Sequence, residues 1–450
     1  MTSQISKVAE RVIGKLFLPK LQQSGAFGDR QFAYSIGRGH RDALALSVLS
    51  WLLSMEKGNL VGLYCSDVSG AFDRVCEQRL TEKLSRTGLH PRIIGLLRSW
   101  LEPRVSVVVL DGQRSAPKPL RNSVYQGTVL GAPLWNVHYA DSSDAVQSEG
   151  FSEVIFADDL NCSKEFGNHV AEQQIRAELR RCQKALRRWG AANRVLFDPG
   201  KDSFHCLHRT RSFGEEFKIL GVLFDCQLTM QAAAQEVARE SGWKVRSLLR
   251  CRRFYTTPEL VKLYKSQVLS YIESRTPALH HAAPSVLDSI DRVQRRFIRE
   301  VGLTEIEALE KYRLAPLPAR RDMAMIGLIH RVCHSRAPAP LADLFVPRER
   351  STDSSRAVTR GSALRHNLQL IDFINMGGHT EVLRRSCFGL VTVWNMLPVN
   401  VAQAKTTKTC QKNLQKSLLN RAKAFPDTNW QHFFSTDARV MPAYAFQRYF

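Results

Sequence analysis

The sequence predicts an α+β fold in which strands dominate the first half and helices the second. Short runs rich in β-branched, aromatic or aliphatic residues occur at residues 60–66, 105–110 and 217–224. An apolar stripe at helical spacing occupies residues 170–189, and beyond about residue 230 the spacing becomes mainly helical. Strands followed by a run of helices are typical of the α+β class.

The length and charge of the chain favour several subdomains and a polyanionic partner. The 450 residues are too many for one average core, so two or three subdomains are predicted. Lys and Arg number 64 against 42 Asp and Glu, which leaves a net charge of +22. A protein this basic gains affinity for nucleic acid by releasing condensed counterions.

Cysteine spacing and hydropathy exclude several classes of protein. The ten cysteines are scattered, without the paired spacing of a zinc module or a disulfide framework, so reduced thiols are expected. No apolar window is long enough to cross a bilayer, so no membrane partner is predicted. We expect an intracellular protein, nuclear or cytoplasmic, without a clear targeting signal.

Two adjacent carboxylates are the most informative pair in the sequence. Asp158 and Asp159 lie between β-favouring runs and are predicted at the tip of a hairpin. Two anions this close repel, which raises one pKa unless a cation lies nearby. Hard oxygen ligands suit Mg²⁺. A solvated turn is the alternative, and this pair alone does not decide between them.

Other candidate positions follow strands or accompany glycine. Asp67 follows the apolar run at residues 60–66 and is either a helix cap or a site residue. Arg38 lies between two glycines, where it could approach a phosphate or belong to a solvated turn. Gly127 and Gly131 would let the backbone approach a ligand closely.

Two helices are predicted from their apolar faces. Residues 5–21 place Val8, Val12, Leu16 and Phe17 on one side. Residues 170–189 have one apolar face and one basic face. The basic face, read as uncompensated, is either solvated or turned toward phosphates. It consists of Arg176, Arg180, Arg181, Lys184, Arg187 and Arg188.

A second basic cluster lies in the helical half. Its cations are mixed with the aromatic residues Trp243, Phe254 and Tyr255, which fits a groove for a nucleic-acid backbone or, alternatively, core packing. The cluster consists of Lys244, Arg246, Arg250, Arg252 and Arg253. Residues 336–340 and 348–360 are predicted as a linker.

Three motifs in order carry a family resemblance. They are Asp67-Val68-Ser69-Gly70-Ala71-Phe72-Asp73, Gln126-Gly127-Thr128-Val129-Leu130-Gly131-Ala132-Pro133-Leu134-Trp135-Asn136 and Phe156-Ala157-Asp158-Asp159. Together they resemble a reverse transcriptase, with closer similarity to the non-LTR (LINE-type) retrotransposon group. Each motif is weak alone, whereas the ordered set is specific, and the resemblance extends from near residue 6 to about residue 420.

The resemblance implies a right-hand polymerase with an antiparallel palm sheet. It implies partial fingers at residues 1–59, a palm with the active site at 60–230 and a helical thumb at 231–335. A linker and retroelement tail region would occupy residues 336–450. The implied activity is RNA-directed DNA synthesis from an RNA template, a DNA primer and dNTPs, with two Mg²⁺ ions or, alternatively, Mn²⁺.

Site residues follow from the same resemblance. Asp67 and Asp158 would bracket the metals, with the carbonyl of Val68 as a further ligand and Asp159 as a supporting acid. Lys201 would neutralise or protonate pyrophosphate, or be a solvated loop lysine. Phe72 would exclude a ribose 2′-hydroxyl, with core packing as its alternative. Gln126 and Gly127 would pack against template and nucleotide, and Arg38 is a further nucleotide-binding candidate.

The chain also departs from the family pattern. The Arg-Pro-Ile-type element before the first helix is absent, and Ser35 replaces a customary arginine. An N-terminally truncated element with a weakened triphosphate clamp is therefore expected, with endonuclease function supplied elsewhere or lost. A catalytically impaired relic that only binds nucleic acid is the alternative function, and a maturase-like splicing cofactor is disfavoured.

Overall fold

The fold consists of two compact units, each with its own core. In a computed structural model the described residues are 3–102, 104–120, 123–348 and 366–450. The first unit comprises residues 1–43 and 58–214, and the second comprises residues 44–57 and 215–450. Most of the predicted linker at 348–360 lies outside the described residues.

The first unit combines helices with short strands. Its helices are α1 (Gln4–Gln23), α3 (Glu77–Arg86), α4 (Pro91–Leu101), α5 (Gly131–Tyr139), α6 (Ser142–Gln147) and α7 (Glu172–Asn193). Helix α2 (His40–Glu56) begins in this unit and continues in the second. The strands are β1 (Leu60–Ser66), β2 (Arg104–Ser106), β3 (Val109–Leu110), β4 (Gln113–Arg114), β5 (Lys118–Leu120), β6 (Ser152–Phe156), β7 (Asp159–Phe166) and β8 (Ser203–Leu207).

A four-stranded antiparallel sheet is the centre of this unit. Its strand order is β6-β7-β1-β8, so β1 lies between two partners distant in sequence. All seven residues of β1 are buried, as its continuous apolar run predicted. Gly62 is required here because a Cβ atom would lie 2.7 Å from the ring of Phe166. The sheet therefore forms around a strand covered on both faces.

Helix α7 covers one face of the sheet, and its predicted apolar side is confirmed. Ile175, Leu179, Cys182 and Leu186 are fully buried. The prediction of an uncompensated basic face is wrong, because four of its six cations contact carboxylates. These pairs join Arg176 to Glu172, Arg181 to Glu149 and Glu178, Arg187 to Asp202 and Arg188 to Glu149.

Helix α1 turns a different side toward the core from the one predicted. Of the four predicted core residues only Phe17 is buried, whereas Val8, Val12 and Leu16 are exposed. The buried side instead contains Glu10, Gly14, Phe17 and Leu21, which also recur at helical spacing. Because Glu10 lies on the buried side, the apolar pattern of the sequence did not indicate this side of the helix.

The second unit is mainly helical, as predicted. It contains strands β9 (Phe217–Ile219) and β10 (Val222–Phe224). Its first helices are α8 (Gln231–Arg250), α9 (Thr257–Tyr264), α10 (Ser270–Glu273), α11 (Thr276–Leu279), α12 (Pro284–Glu300), α13 (Glu305–Tyr312), α14 (Leu317–Cys333) and α15 (Ala339–Ala342). Those that follow are α16 (Glu381–Arg385), α17 (Val391–Asn395), α18 (Val399–Ala402), α19 (Thr407–Ala424), α20 (Asp437–Val440) and α21 (Ala443–Gln447).

Buried polar contacts fix the packing of the second unit. Arg321 of α14 forms a bidentate pair with Asp291 of α12, with N to O distances of 2.6 and 2.8 Å. Glu56 of α2 accepts hydrogen bonds from the backbone amide and hydroxyl of Thr380. Trp394 of α17 is fully buried and donates to the Leu368 carbonyl. Residues beyond 366 therefore belong to a packed core.

Two general properties accompany this fold. The ten cysteines are free, and eight of them are buried. Among the described residues, no helix combines the length and the apolar character needed to cross a bilayer. The α+β class is confirmed, because an antiparallel sheet lies in one unit and a helical assembly in the other.

Candidate active site

Asp67 lies directly after the central strand, as the sequence predicted. Its carbonyl accepts a hydrogen bond from the amide of Asp198 at 3.0 Å, and Ser69 donates its amide to Leu196 at 2.9 Å. These bonds frame a bridge between Val68 and Phe197. Val68 and Phe197 thus form a non-hydrogen-bonded antiparallel pair, in which the neighbouring residues make the hydrogen bonds. Neither of these two bonds uses the carbonyl of Val68. The chain after β1 is thereby held against the segment that leads to Lys201.

Asp158 and Asp159 lie at a hairpin tip, which confirms the predicted location. Strands β6 and β7 pair antiparallel through Phe156 and Asp159, so Ala157 and Asp158 form a two-residue loop. Strand β7 also pairs with β1, with Ser66 opposite Leu160. This register brings the tip of the hairpin beside Asp67, whose negative charge acts on the carboxylates of both Asp158 and Asp159. Carboxylates from two places in the sequence therefore meet at one edge of the sheet.

The hairpin turn is held by side chains from outside the hairpin. The side-chain carbonyl of Gln31 accepts from the Ala157 amide at 2.9 Å, and its side-chain amide donates to the Ala157 carbonyl at 3.0 Å. The indole of Trp135 donates to the same carbonyl at 3.0 Å. Both side chains are buried, which limits the competition of water for these bonds.

Lys201 contacts the carboxylates from a separate loop. Its ammonium forms an ion pair with Asp67. The next residue, Asp202, accepts hydrogen bonds from the Tyr64 hydroxyl at 3.0 Å and from the side chains of Gln183 and Arg187 at 2.8 and 2.7 Å. Because Asp202 is anchored to both β1 and α7, the loop holds Lys201 at the acidic edge.

Phe72 contacts the core beside the acids. Its ring centroid lies 6.2 Å from that of Trp135, and its carbonyl accepts from the amide of Val124 at 2.9 Å. Phe72 is only partly buried. Core packing, the alternative role of Phe72, is therefore supported. The rest of the ring surface is accessible.

A buried glutamate shapes the loop that contains Gln126 and Gly127. Gly127 has a positive φ of 82°, and both residues are exposed. Glu10 of α1 accepts from the backbone amides of Val129 and Leu130. The indole of Trp100 donates to the other oxygen of Glu10 at 3.3 Å. These contacts place a carboxylate at the N-terminus of α5, where the helix dipole favours it.

Arg38 is engaged with its own loop. Its guanidinium donates to the carbonyls of Gly28 at 2.9 Å, Asp29 at 2.6 Å and Gln31 at 3.2 Å. Burial lowers the pKa of this guanidinium, and the nearby Asp29 and Asp42 oppose that effect. The structure thus gives Arg38 a role within the loop, while its predicted contact with a nucleotide stays a prediction.

The predicted basic cluster of the second unit forms a largely exposed surface at the end of α8. Trp243, Phe254 and Tyr255 are 60%, 69% and 45% exposed, so these aromatics are not core residues. Arg252 pairs with Glu300 at 3.1 Å, and Lys244 lies over the ring of Tyr271. Within the described residues no acidic partner contacts the remaining members, which are Arg246, Arg250 and Arg253.

A family comparison matches about the first half of the chain. Residues 2–224 match the family described as reverse transcriptase (RNA-dependent DNA polymerase). The chain carries a reverse transcriptase domain. The match includes Asp67, the Gln126 loop, the Asp158-Asp159 hairpin and Lys201, and the predicted family resemblance is confirmed.

Relatives of the reverse transcriptase domain are encoded by mobile elements. The RNA-directed DNA polymerase from mobile element jockey of Drosophila funebris is 26% identical over 320 residues, which cover 66% of this chain and 34% of the relative. The jockey polymerase of Drosophila melanogaster is 28% identical over 325 residues, with the same shares covered. The chain therefore spans about a third of the length of these curated relatives.

Solved telomerase structures are similar over part of the chain. Apo telomerase from Candida tropicalis has a TM-score of 0.40 at 10% identity and covers 75% of this chain and 56% of the telomerase. Telomerase from Candida albicans in complex with a fragment of telomeric RNA has a TM-score of 0.39 at 12% identity. This alignment covers 69% of this chain and 57% of that telomerase.

Electrostatics distinguish the acids of the reverse transcriptase domain. Burial raises the pKa of Asp158, and the charge of Asp67 raises it further. Burial also raises the pKa of Asp159, to about 6, with added repulsion from Asp158 and Asp67. The ammonium of Lys201 opposes both shifts. The edge of the sheet therefore carries more negative charge than its one cation offsets.

The donor chemistry of this edge fits a divalent cation. Carboxylate oxygens are the ligands that Mg²⁺ prefers, and burial together with the neighbouring carboxylates raises the pKa values of Asp158 and Asp159. Within the described ranges, however, no group of three or more His, Cys, Asp or Glu residues is arranged to hold a metal. In this arrangement the Lys201 ammonium lies against Asp67 instead.

Sequence reasoning missed four residues that position this site. Trp135 lies within a recognised motif and Gln31 lies seven residues before Arg38, but nothing in their spacing indicates contact with Ala157. Asp202 follows the candidate Lys201, but its burial depends on contacts with distant parts of the chain, which the local sequence does not indicate. Glu10 alone had a usable signal, because it continues the helical spacing of Gly14, Phe17 and Leu21.

Replacing Asp159 with asparagine is expected to stabilise the metal-free protein at neutral pH. Because the folded-state pKa of about 6 lies above the ordinary value, protonation favours the folded chain. The pKa difference corresponds to about 3 kcal/mol without screening, and partial exposure reduces the expected gain to about 1–2 kcal/mol. The gain should be absent below about pH 4, grow between about pH 4 and 6 and stay constant above.

Thermal and urea unfolding of wild type and Asp159→Asn in EDTA would measure this gain. Asp144→Asn, at an exposed position of α6, is the matched control and should give no pH-dependent gain. A wild type more stable than Asp159→Asn at pH 7.5 would contradict the electrostatic account.

Proposed function

We propose that this chain is an RNA-directed DNA polymerase that extends a DNA 3′-hydroxyl on an RNA template with dNTPs. The observation that carries the proposal is the meeting of Asp67 with the Asp158-Asp159 hairpin at one edge of the antiparallel sheet. The match to the reverse transcriptase family and the names of the jockey relatives support it.

The acids suit nucleotidyl transfer because they approach one place from two strands. Asp67 and Asp158 would hold the metals, with the carbonyl of Val68 as a further ligand and Asp159 as a supporting acid. Two Mg²⁺ ions, or Mn²⁺ ions, supply a lowered pKa at the primer hydroxyl and charge neutralisation at the triphosphate when bound. Asp67 and Asp158 themselves orient the hydroxyl relative to the α-phosphate.

Lys201 would exchange its partner during the reaction. In the structure its ammonium neutralises Asp67. With the carboxylates holding cations, the Lys201 ammonium would be free to stabilise the negative charge that develops on pyrophosphate. The anchored Asp202 beside it keeps the lysine within reach of the same edge.

The loops around the acids would select the substrate. Phe72 would exclude a ribose 2′-hydroxyl with its accessible ring surface, while its packing on Trp135 keeps the ring in place. Gln126 and Gly127 would contact the template and the incoming nucleotide, because this loop is exposed and has a glycine conformation. Arg38 would contact the nucleotide only after breaking a hydrogen bond to a carbonyl of its own loop, such as that of Gln31.

A right-hand polymerase is the architecture that we propose for the chain. Partial fingers would lie at residues 1–59, the palm at 60–230, a helical thumb at 231–335 and a linker with the retroelement tail region at 336–450. The antiparallel sheet with its acidic edge supports the palm assignment, and the α8 to α14 assembly supports the thumb.

Primer extension tests the proposed function. Purified protein with an RNA template, a DNA primer, dNTPs and Mg²⁺ is expected to extend the primer, and Asp158→Ala should lower the rate by at least about a thousandfold because a metal-binding carboxylate is lost. Asp144→Ala removes an exposed carboxylate and should keep the wild-type rate. Equal incorporation by wild type and Asp158→Ala, or none by either, would reject the proposal.

The exposed basic surface of α8 would bind the nucleic-acid backbone. Arg246, Arg250 and Arg253 are exposed beside Trp243, Phe254 and Tyr255. Basic side chains bind phosphates and aromatic side chains stack on bases. Arg253 lies 4.7 Å from the centre of the Phe254 ring. The side chains could therefore contact a strand through charge and stacking.

The salt dependence of binding measures this contribution. Changing Arg246, Arg250 and Arg253 to glutamine is expected to weaken RNA–DNA binding and to lower the slope of log K against log salt by about 0.7–0.9 per arginine. Lys311→Gln is the control because Lys311 is paired with Glu307 at 2.9 Å. An unchanged slope in the triple variant would show that these three arginines do not contact the nucleic-acid backbone.

A further inference from the structure

The turn that presents Asp158 has a backbone conformation that alanine adopts reluctantly. Ala157 has φ of +60°, and it is the first residue of the two-residue loop between Phe156 and Asp159. Asp158 is not among the residues with positive φ. Glycine is the usual residue at the first position of such a turn. The conformation therefore requires support from the surroundings.

Gln31 supplies that support through both polar groups of the Ala157 backbone. Its carboxamide accepts from the Ala157 amide and donates to the Ala157 carbonyl, at 2.9 and 3.0 Å. The Trp135 indole adds a second donor to that carbonyl. Gln31 is 2% exposed and Trp135 is fully buried, so both act from fixed positions.

The backbone of Gln31 is fixed by the first strand of the hairpin. Gln31 forms a parallel bridge with Ile155. Phe32 donates its amide to the Ile155 carbonyl at 2.8 Å, and Ile155 donates to the Arg30 carbonyl at 3.0 Å. The loop thus acts as a short additional strand beside β6, and its glutamine reaches forward to the turn.

Two more side chains brace this loop. Asn136, fully buried on α5, donates to the Ala33 carbonyl at 2.9 Å. The guanidinium of Arg38 binds three carbonyls between Gly28 and Gln31. Gln31 also accepts from the Ala33 amide at 2.9 Å, so its carboxamide cannot rotate without breaking several bonds.

We propose that Gln31 is a positioning residue that fixes the Ala157 turn and, through it, the direction of the Asp158 carboxylate. The residue makes no direct contact with the carboxylate in the described structure, and it acts through the backbone of the preceding residue. A displacement of about 1 Å in a reacting group lowers rates by about a hundredfold. The kinetic part of this inference rests on the proposed polymerase function, whereas its structural part does not.

Hydrogen exchange tests the structural part. Gln31→Met keeps the side-chain volume and removes the hydrogen bonds, so exchange of the Ala157 amide is expected to rise by about tenfold or more. Ser35→Ala is the matched control, because Ser35 donates to the Ala33 carbonyl of the same loop at 3.3 Å and has no bond to the turn. Unchanged protection at Ala157 in a folded Gln31→Met protein would overturn the inference.

Single-turnover kinetics tests the consequence for chemistry. Gln31→Met is expected to lower the rate of incorporation by about 10- to 100-fold while primer-template affinity stays within about threefold. Adding Ala157→Gly should restore part of the lost rate, because glycine adopts a positive φ without support. A merely structural role predicts no rescue, since glycine adds flexibility to an already weakened fold. Absence of rescue would therefore contradict positioning.

A milder variant covers the case in which Gln31→Met fails to fold. Trp135→Phe keeps an aromatic ring, removes the indole donor to the Ala157 carbonyl and leaves a smaller side chain in the core. It should raise exchange in the turn and lower incorporation severalfold. No change in either quantity would overturn the inference. If wild type itself incorporates no nucleotide, the proposed function fails, while the exchange experiment still decides the role of Gln31.

Discussion

The pairing of β1 with β7 is the interaction on which the site depends. It joins β1, which Asp67 directly follows, to β7, which begins at Asp159, although the two acids are far apart in the sequence. A shift of one residue in this register would turn the side chains of β7 to the opposite face of the sheet. Burial of every residue of β1, with Gly62 fitted closely against Phe166, makes such a shift costly.

The same pairing brings three carboxylates close together, and Lys201 offsets part of their repulsion. Burial and mutual repulsion raise the carboxylate pKa values of Asp158 and Asp159, so the folded chain concentrates charge that the unfolded chain would disperse. Lys201 neutralises Asp67 but contributes only one positive charge. At neutral pH these shifts oppose folding locally, and such perturbed carboxylates are found most often at functional sites.

The sequence predicted the elements of this site better than the contacts that hold them. The apolar run of β1, the hairpin around Ala157 and the buried side of α7 each follow from a local pattern, and the structure confirms them. The buried side of α1 was predicted wrongly because Glu10 interrupts the apolar pattern. The partners of Ala157 lie more than a hundred residues away, in the case of Gln31, or on another helix, in the case of Trp135. Local propensity carries no information about such distant hydrogen bonds.

Several predicted roles remain proposals because they concern groups that bind from outside the chain. Phe72 lies in a short 3-10 helix, and Gln126, Gly127 and Arg38 lie in loops of the reverse transcriptase domain. Their proposed substrate contacts depend on nucleotide and template. The exposed arginines of the second unit likewise gain a role only with a polyanion present. What the structure adds is the set of supports behind these loops, such as Glu10 behind the loop of Gly127.

Binding of Mn²⁺ tests whether Asp67 and the hairpin acids form one cation site, as proposed above. Electron paramagnetic resonance of free Mn²⁺ would be followed during titration of wild type, Asp67→Asn and Asp73→Asn, without nucleotide. Asp73 is the control because it lies in the same motif but is exposed. Asp67→Asn is expected to weaken Mn²⁺ binding by at least about tenfold because a charged hard ligand is lost, while Asp73→Asn should bind like wild type. Equal Mn²⁺ affinity in all three proteins would rule out a cation site at Asp67.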